Sequence, residues 1–207
     1  MEAFAQLPEE KRERILRVSM REFADHGYEN ASTNRIAREA SIGKGMVFHY
    51  FGSKEQLFLH LFIYALEQYN TYYAEWKEQL PSELFSRALT WVERKFEFYR
   101  TQPIAANFLV QSYLKSTGDI RKNIDEIYQN DYRKKIDQFI RGVDTDRLRK
   151  GIDTQKALDI FFAVLEQMQQ SLIDRYWQPD RPFPLSELRL ETEQYLDILK
   201  YGMYPGT

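Results

Sequence analysis

Apolar residues recur every three or four positions along nearly the whole chain, and glycine and proline fall between the resulting segments. No alternating strand pattern with a tight Asn-Gly or Asp-Gly turn occurs, and no internal repeat. The pattern predicts an all-α protein of about nine helices. The first opens at Pro8, which suits a first helical position, and ends near His26-Gly27, with Ile15, Leu16, Ser19 and Phe23 on one face. Ser32 is placed to cap a second helix reaching Ala40, with Ile36 and Ala37 inward. A turn at Ser41-Ile42-Gly43 leads to a brief third helix, Lys44 to Phe51, closed by Gly52.

Ser53, followed three residues later by Gln56, reads as a capping box for a long fourth helix, Lys54 to Gln79, with Phe58, Phe62, Ala65 and Leu66 in its stripe. A fifth helix starts at Pro81-Ser82 and is stopped by Pro103. A sixth spans Ile104 to Lys115, and a seventh opens at Gly118-Asp119 and ends before a loop from Gly142 to Gly151. Asp153 caps an eighth that reaches about Trp177. A break from Pro179 to Pro184 precedes a ninth, capped by Ser186. The eighth is apolar on more than one face, through Leu158, Ile160, Phe161, Phe162, Val164, Leu165, Met168, Leu172 and Ile173. A helix wet on one side would not read so; it is expected to be buried by its own core and by a second subunit.

The 207 residues suit one large domain or two small ones, and 43% hydrophobic residues suffice for a core. No apolar run of roughly eighteen residues exists, so no membrane span is expected. The first ten residues lack a basic-then-apolar signal pattern, so the chain is expected to stay in the cytosol. The absence of cysteine excludes disulfides, thiolate metal sites and cysteine nucleophiles. His26, His49 and His60 show no metal-ligand spacing, and no cofactor is expected. Acid pairs such as Glu9-Glu10 or Asp144/Asp146 lie on termini or loops, and no Gly-rich phosphate loop or nucleophile elbow is present. An enzyme is therefore the weaker reading.

The net charge of −2 does not itself announce nucleic acid, but between Asn34 and Lys54 the basic residues Arg35, Arg38, Lys44 and Lys54 face Glu39 alone. Two short helices joined by so tight a turn must cross steeply. One can then brace on a DNA backbone while the next enters the major groove. The third helix is too short to stand alone and needs apolar faces around it. Lys44 sits at its start, Gly45 lets backbone approach closely, and Phe48, His49 and Tyr50 form an aromatic run. Tyr50 either reaches DNA or packs on the first helix. The residues placed to touch DNA are Ser32, Thr33, Arg35, Lys44, Gly45, Met46, Phe48, His49, Tyr50 and Lys54.

The run from Gly27 to Leu57, GYENASTNRIAREASIGKGMVFHYFGSKEQL, resembles the DNA-binding signature of the TetR family of repressors, and helix number and spacing resemble that family over the whole chain. Three positions depart from its pattern. Ser41 stands where glycine is usual, Gly43 where serine is common, and Phe48 where tyrosine is common. Phe48 lacks the hydroxyl that would bond a phosphate.

The resemblance implies a helix-turn-helix domain over residues 1–52 and a ligand-binding and dimerisation domain over 53–207, with the fourth helix as connector. It implies a pocket among the fourth to eighth helices. The candidate lining residues are Tyr69, Tyr73, Trp91, Phe96 and Tyr99, with Phe108, Tyr113, Tyr128, Phe161 and Met168. Few charges fall on these stripes, so an uncharged or long-chain apolar ligand is expected. A homodimer through the last two helices is implied, with Phe162, Leu165, Leu172, Tyr195 and Leu199 as interface candidates. The implied function is a repressor that binds a near-palindromic double-stranded DNA operator and is released by its ligand.

Overall fold

A computed structural model of the chain describes residues 2–176, 178 and 184–203. Among them it is all-α, with no strand. The helices are α1 (Glu2–Ala5), α2 (Glu9–Asn30), α3 (Thr33–Glu39), α4 (Met46–Phe51), α5 (Lys54–Trp76), α6 (Leu84–Thr101), α7 (Pro103–Lys115), α8 (Gly118–Arg141), α9 (Thr154–Tyr176) and α10 (Leu185–Met203). Short 3-10 turns follow α5 at Lys77–Gln79 and lie at Thr145–Arg147.

Three expected caps form. The hydroxyl of Ser32 accepts the Arg35 amide at 3.3 Å, that of Ser53 the Gln56 amide at 3.0 Å, and the Asp153 carboxylate the Lys156 amide at 3.1 Å. Other boundaries move. α1 was not expected at all. The expected end at Gly27 is a bend inside α2: the residue takes φ 70, ψ 170, and a further turn follows it. The third expected helix starts at Met46 rather than Lys44, and the fourth ends at Trp76. Glu83, not Ser82, caps α6, its carboxylate accepting the amides of Phe85 at 3.2 Å and Ser86 at 2.7 Å. Pro103 not only ends α6 but is the first residue of α7, where its missing N–H costs nothing. Ser186 lies inside α10, because the Pro184 carbonyl takes the first amides, those of Glu187 and Leu188. The expected helix end at Trp177 and most of the break from Pro179 to Pro184 lie outside the described residues.

The chain packs as two compact units. The first comprises Met1–Ala74 and Gln102–Lys134. In it α2 lies along α7, where small side chains (Ser19 and Ala24 on one, Ala105, Ala106 and Ser112 on the other) are buried. Lys115, at the end of α7, donates to the Ala24 carbonyl at 2.7 Å and the Asp25 carbonyl at 3.2 Å. It thereby satisfies carbonyls that the Gly27 bend leaves without intrahelical amides. Phe23, Phe58 and Phe108 meet edge to face and tilted in the core of this unit, at centroid distances of 5.1 to 6.4 Å.

The second unit comprises Glu75–Thr101 and Lys135–Thr207. Its core joins Phe85 and Trp91 of α6, Phe139 of α8, and Phe161, Leu165, Met168 and Leu172 of α9. The guanidinium of Arg87 donates to the carbonyls of Leu80 at 3.1 Å and Pro81 at 2.8 Å and lies over the Phe139 ring. A Cβ at Gly142 would fall 2.4 Å from that guanidinium, so a side chain there would have to push the end of Arg87 aside. Arg189 of α10 reaches Glu93 of α6 at 2.7 Å.

Candidate nucleic-acid interface

The short helix α4 has two faces. Val47, Tyr50 and Phe51 are buried, while Lys44, Gly45, Phe48 and His49 form an exposed row, with Phe48 at 49% of its full exposure. The burial comes partly from α1. Phe4 places its ring 4.7 Å from that of Phe51 and 5.9 Å from that of Tyr50. His60 of α5 joins the cluster at 5.4 Å from Phe51 and 5.9 Å from Phe4, and burial holds its imidazole below the ordinary value against a pull upward from Glu67. A helix of six residues cannot persist alone, and these contacts fix its outer row.

The turn before α4 is a Schellman motif. The Ile42 amide donates to the Ala37 carbonyl at 2.9 Å and the Ser41 amide to the Arg38 carbonyl at 3.1 Å. Ser41 takes φ 55, the only positive φ at a non-glycine position among the described residues. The departure from glycine noted in the sequence thus falls where the backbone favours glycine. Arg14 of α2 donates to the Ala40 carbonyl at 3.0 Å and ties the end of α3 to α2.

Several residues placed at DNA by the sequence serve the scaffold. Tyr50, only 3% exposed, belongs to the interior and offers no surface to DNA. Arg35 forks onto the buried carboxylate of Glu22, with bonds of 2.8 and 2.6 Å to one oxygen, and also donates to the Asn30 carbonyl at 3.0 Å. It is committed to holding α3 on α2. The ammonium of Lys54 donates to the Glu29 carbonyl at 3.0 Å and sits 4.9 Å from the Tyr28 ring centre. Ser32 and Ser53 spend hydroxyl lone pairs on caps but keep a proton to donate. Thr33 and Met46 are half-buried beside the exposed row. The sequence reading passed over Asn34 and Arg38, both exposed on α3. Arg38 had counted only in the charge balance, although its spacing on α3 from the buried Ile36 and Ala37 marks it as outward.

The ten pocket candidates distribute over both units. In the first, Tyr69 lies 6.5 Å from Tyr73 and Tyr113 lies 6.0 Å from Tyr128, while Phe108 is enclosed in the core described above. In the second, the Trp91 ring lies tilted against that of Phe139 at 4.8 Å, Phe96 meets Tyr99 at 5.7 Å, Phe161 meets Phe85 at 5.7 Å, and Met168 is buried. Burial pushes the Tyr99 phenol far up. A surface groove of about 430 Å³ on the first unit is lined by Arg14, Arg17, Tyr64, Gln68 and Ile104 among others, and by none of the ten.

Of the interface candidates, Leu165 and Leu172 are buried inside their own unit, on the face of α9 that meets its core. Phe162 and Leu199 are half-buried and Tyr195 is exposed. The apolar side chains most open to solvent there are Ile160, Leu190, Ile198 and Tyr201. Among the described residues no helix is long and apolar enough to cross a membrane, and no His/Cys/Asp/Glu group could hold a metal.

The family profile described as bacterial regulatory proteins, tetR family, matches residues 15–61, which cover α3, α4 and most of α2. The transcriptional repressor AcnR of Corynebacterium efficiens is 44% identical over 54 residues, a match that spans 26% of this chain and 29% of that protein. The fatty acid metabolism regulator protein of Bacillus subtilis is 21% identical over 154 residues, 74% of this chain and 78% of that one. Among solved structures, a TetR family transcriptional regulator from Chloroflexus aurantiacus is 25% identical with a TM-score of 0.68, covering 100% of this chain and 99% of that one. FadR of Bacillus subtilis, solved with stearoyl-CoA, superposes with a TM-score of 0.67 at 18% identity, covering 93% and 99%. The helix-turn-helix segment is thus similar to the DNA-binding region of bacterial regulatory proteins of the tetR family, and the chain shares its fold with solved TetR family transcriptional regulators.

Proposed function

We propose that the chain represses transcription as a homodimer, binding a near-palindromic operator through α4 and leaving it when a small, largely apolar ligand binds the helical domain beyond residue 52. The observation that carries this reading is the exposed row Lys44, Gly45, Phe48 and His49, set on a helix whose opposite face is locked by Phe4 and His60. A cation, a bare backbone and two rings on one rigid face suit base edges, thymine methyls and phosphates. Thr33, Asn34 and Arg38 lie on α3, the helix that crosses the DNA backbone in such motifs.

A single helix-turn-helix makes few contacts, so two copies are needed for tight binding, with recognition helices about 34–36 Å apart or a multiple of that. The exposed apolar residues of α9 and α10 supply the face for pairing. The ligand class is supported by the aromatic candidates and by a similar protein named as a fatty acid metabolism regulator. α5 follows α4 after two residues and carries the signal, and differential affinity of the ligand for the two states of about 1–3 kcal/mol would weaken operator binding about 5–150-fold.

The test is fluorescence anisotropy on DNA from upstream of the protein's own gene and on scrambled DNA, at two salt concentrations. The expected result is a preference of at least about a thousandfold that weakens with salt, abolished by Lys44→Ala with His49→Ala while folding and dimerisation persist. Equal binding of both DNAs would overturn the reading.

A further inference from the structure

Within the first unit the Gly27 bend collects cations from three other helices. α2 passes from φ 70 and ψ 170 at Gly27 into one last turn, and only Ala31 then separates it from Ser32, the cap of α3. Before the bend, Lys115 of α7 donates to the Ala24 and Asp25 carbonyls at 2.7 and 3.2 Å. After it, Lys54 of α5 donates to the Glu29 carbonyl at 3.0 Å and Arg35 of α3 to the Asn30 carbonyl at 3.0 Å. Carbonyls at a broken helix end attract cations, because they carry the negative end of the helix dipole. Arg35 and Lys54 belong to the helix-turn-helix and its immediate flank, but Lys115 does not. It ends α7, a helix of the domain beyond residue 52. A lysine in a last turn commonly serves the carbonyls of its own helix. This one crosses to α2, and its stem lies against the bend, where a Cβ on Gly27 would stand 3.5 Å from the Lys115 Cβ. The path onward to α3 is short. The Ala31 amide donates to the Gly27 carbonyl at 3.1 Å, and the Ser32 amide to the buried Glu22 carboxylate at 2.7 Å. A shift at Gly27 therefore carries to Asn34 and Arg38 on α3, and to α4, which packs on α3.

We propose that Lys115 is a positioning residue for operator recognition: from the end of α7 it fixes the Gly27 bend, and the bend fixes where α3 and α4 meet DNA. Lys115 itself touches no DNA. Loss of its two bonds leaves the carbonyls to water and lets the bend open locally, and because the side chain is exposed little core packing is lost with it. The helix-turn-helix stays folded, but its aim loosens. Base readout depends on that aim, since its hydrogen bonds are directional, whereas attraction to the phosphate charge does not. Lys115 therefore supports the preference for one sequence rather than affinity for DNA in general. The inference rests on the DNA-binding regulator proposed above and adds to it a residue outside the DNA-binding motif.

The test compares Lys115→Met and Lys115→Arg with wild type in the full-length protein. Anisotropy is measured on DNA from upstream of its own gene and on scrambled DNA across a salt series, and amide hydrogen exchange is measured without DNA. Lys115→Met should lower the ratio of the two affinities at least about fivefold, the worth of one weakened base contact. Affinity for scrambled DNA and the salt slope should stay unchanged. Lys115→Arg, which can still donate to both carbonyls, should restore the ratio. In Lys115→Met the amides of Ala31, Ser32 and Ile36 should exchange faster, while those of Phe96 and Leu165 in the second unit keep their wild-type rates. A salt slope smaller by about 0.9 puts Lys115 on a phosphate and overturns the proposal. Equal weakening on both DNAs, or exchange that accelerates uniformly through the chain, overturns it too. An unchanged ratio in a protein that prefers its own DNA removes the role of Lys115 and leaves the regulator standing. Equal binding of both DNAs by wild type, with exchange in Lys115→Met faster only around the bend, removes the regulator and leaves Lys115 as the tie that sets the bend.

Discussion

The guanidinium of Arg35 and the carboxylate of Glu22 form a forked pair between α3 and α2, with the carboxylate almost wholly buried and the Ser32 amide donating to it at 2.7 Å. Burial alone would raise the Glu22 carboxyl; the bonds from Arg35 and Ser32 outweigh it and hold the group below 4.5. Removing one partner leaves the other charge stranded, and because Arg35 is partly exposed the cost is about 2–3 kcal/mol rather than that of a fully enclosed pair. Urea melts of Glu22→Gln and Arg35→Ala should show it. A carboxyl held low in the folded state stabilises above 4.5, and this contribution is lost as pH falls through the lower folded value. Wild type should therefore lose more stability between pH 5 and pH 3 than Glu22→Gln does.

Ser41 pays for a left-handed backbone that glycine adopts freely. Ser41→Gly should stabilise the protein by about 0.5–1 kcal/mol and raise Tm by about 1–4 °C, with the Schellman bonds from Ser41 and Ile42 retained. Operator affinity should not fall, since the Ser41 side chain is not needed for any cap. A lower Tm would show that the hydroxyl contributes more than the strain costs.

Phe4 and His60 enclose the back of α4 from two different helices. Phe4→Ala should cost about 2–4 kcal/mol, below the largest core truncations because α1 is a four-residue helix at the chain start. It should also weaken operator binding without touching an exposed residue. The His60 imidazole is held low by burial, so above 6.5 it is neutral in both folded and unfolded chains and contributes nothing to pH dependence. As pH falls below 6.5 the unfolded chain takes the proton first, and the folded state loses stability. Thermal melts of His60→Gln between pH 7.5 and 5.5 should be flatter than those of wild type.

The fold was legible because caps and periodicity act locally. Ser32, Ser53 and Asp153 do what their spacing implies, and Ile36, Ala37 and Val47 lie inside as their positions require. What sequence could not give was the destination of long polar side chains. Arg35 and Tyr50 look like DNA contacts until Glu22 and Phe4, distant in the chain, are seen to claim them. Glu22 carried the signal, as an acid on the Ile15, Ser19 and Phe23 face of α2.

α10 presents Ile198 and Tyr201 at 73% and 81% of full exposure, with Leu190 and Tyr195 also open. Large apolar side chains grouped on one helix are unusual on a free surface, whereas Leu165 and Leu172 on α9 already lie in their own core. If the homodimer forms through α10, a charge at Ile198 meets apolar partner surface without a counter-ion, a cost that the single chain does not bear. Ile198→Glu should leave the thermal unfolding of the isolated chain at low concentration unchanged, shift sedimentation at micromolar concentration from dimer to monomer, and weaken operator binding by at least about a hundredfold. The anisotropy slope against salt should fall as well, because one helix-turn-helix neutralises roughly half as many phosphates as two. A dimer that survives both Ile198→Glu and Tyr201→Glu would place the contact elsewhere, and Ile160 on α9 would be the next residue to charge.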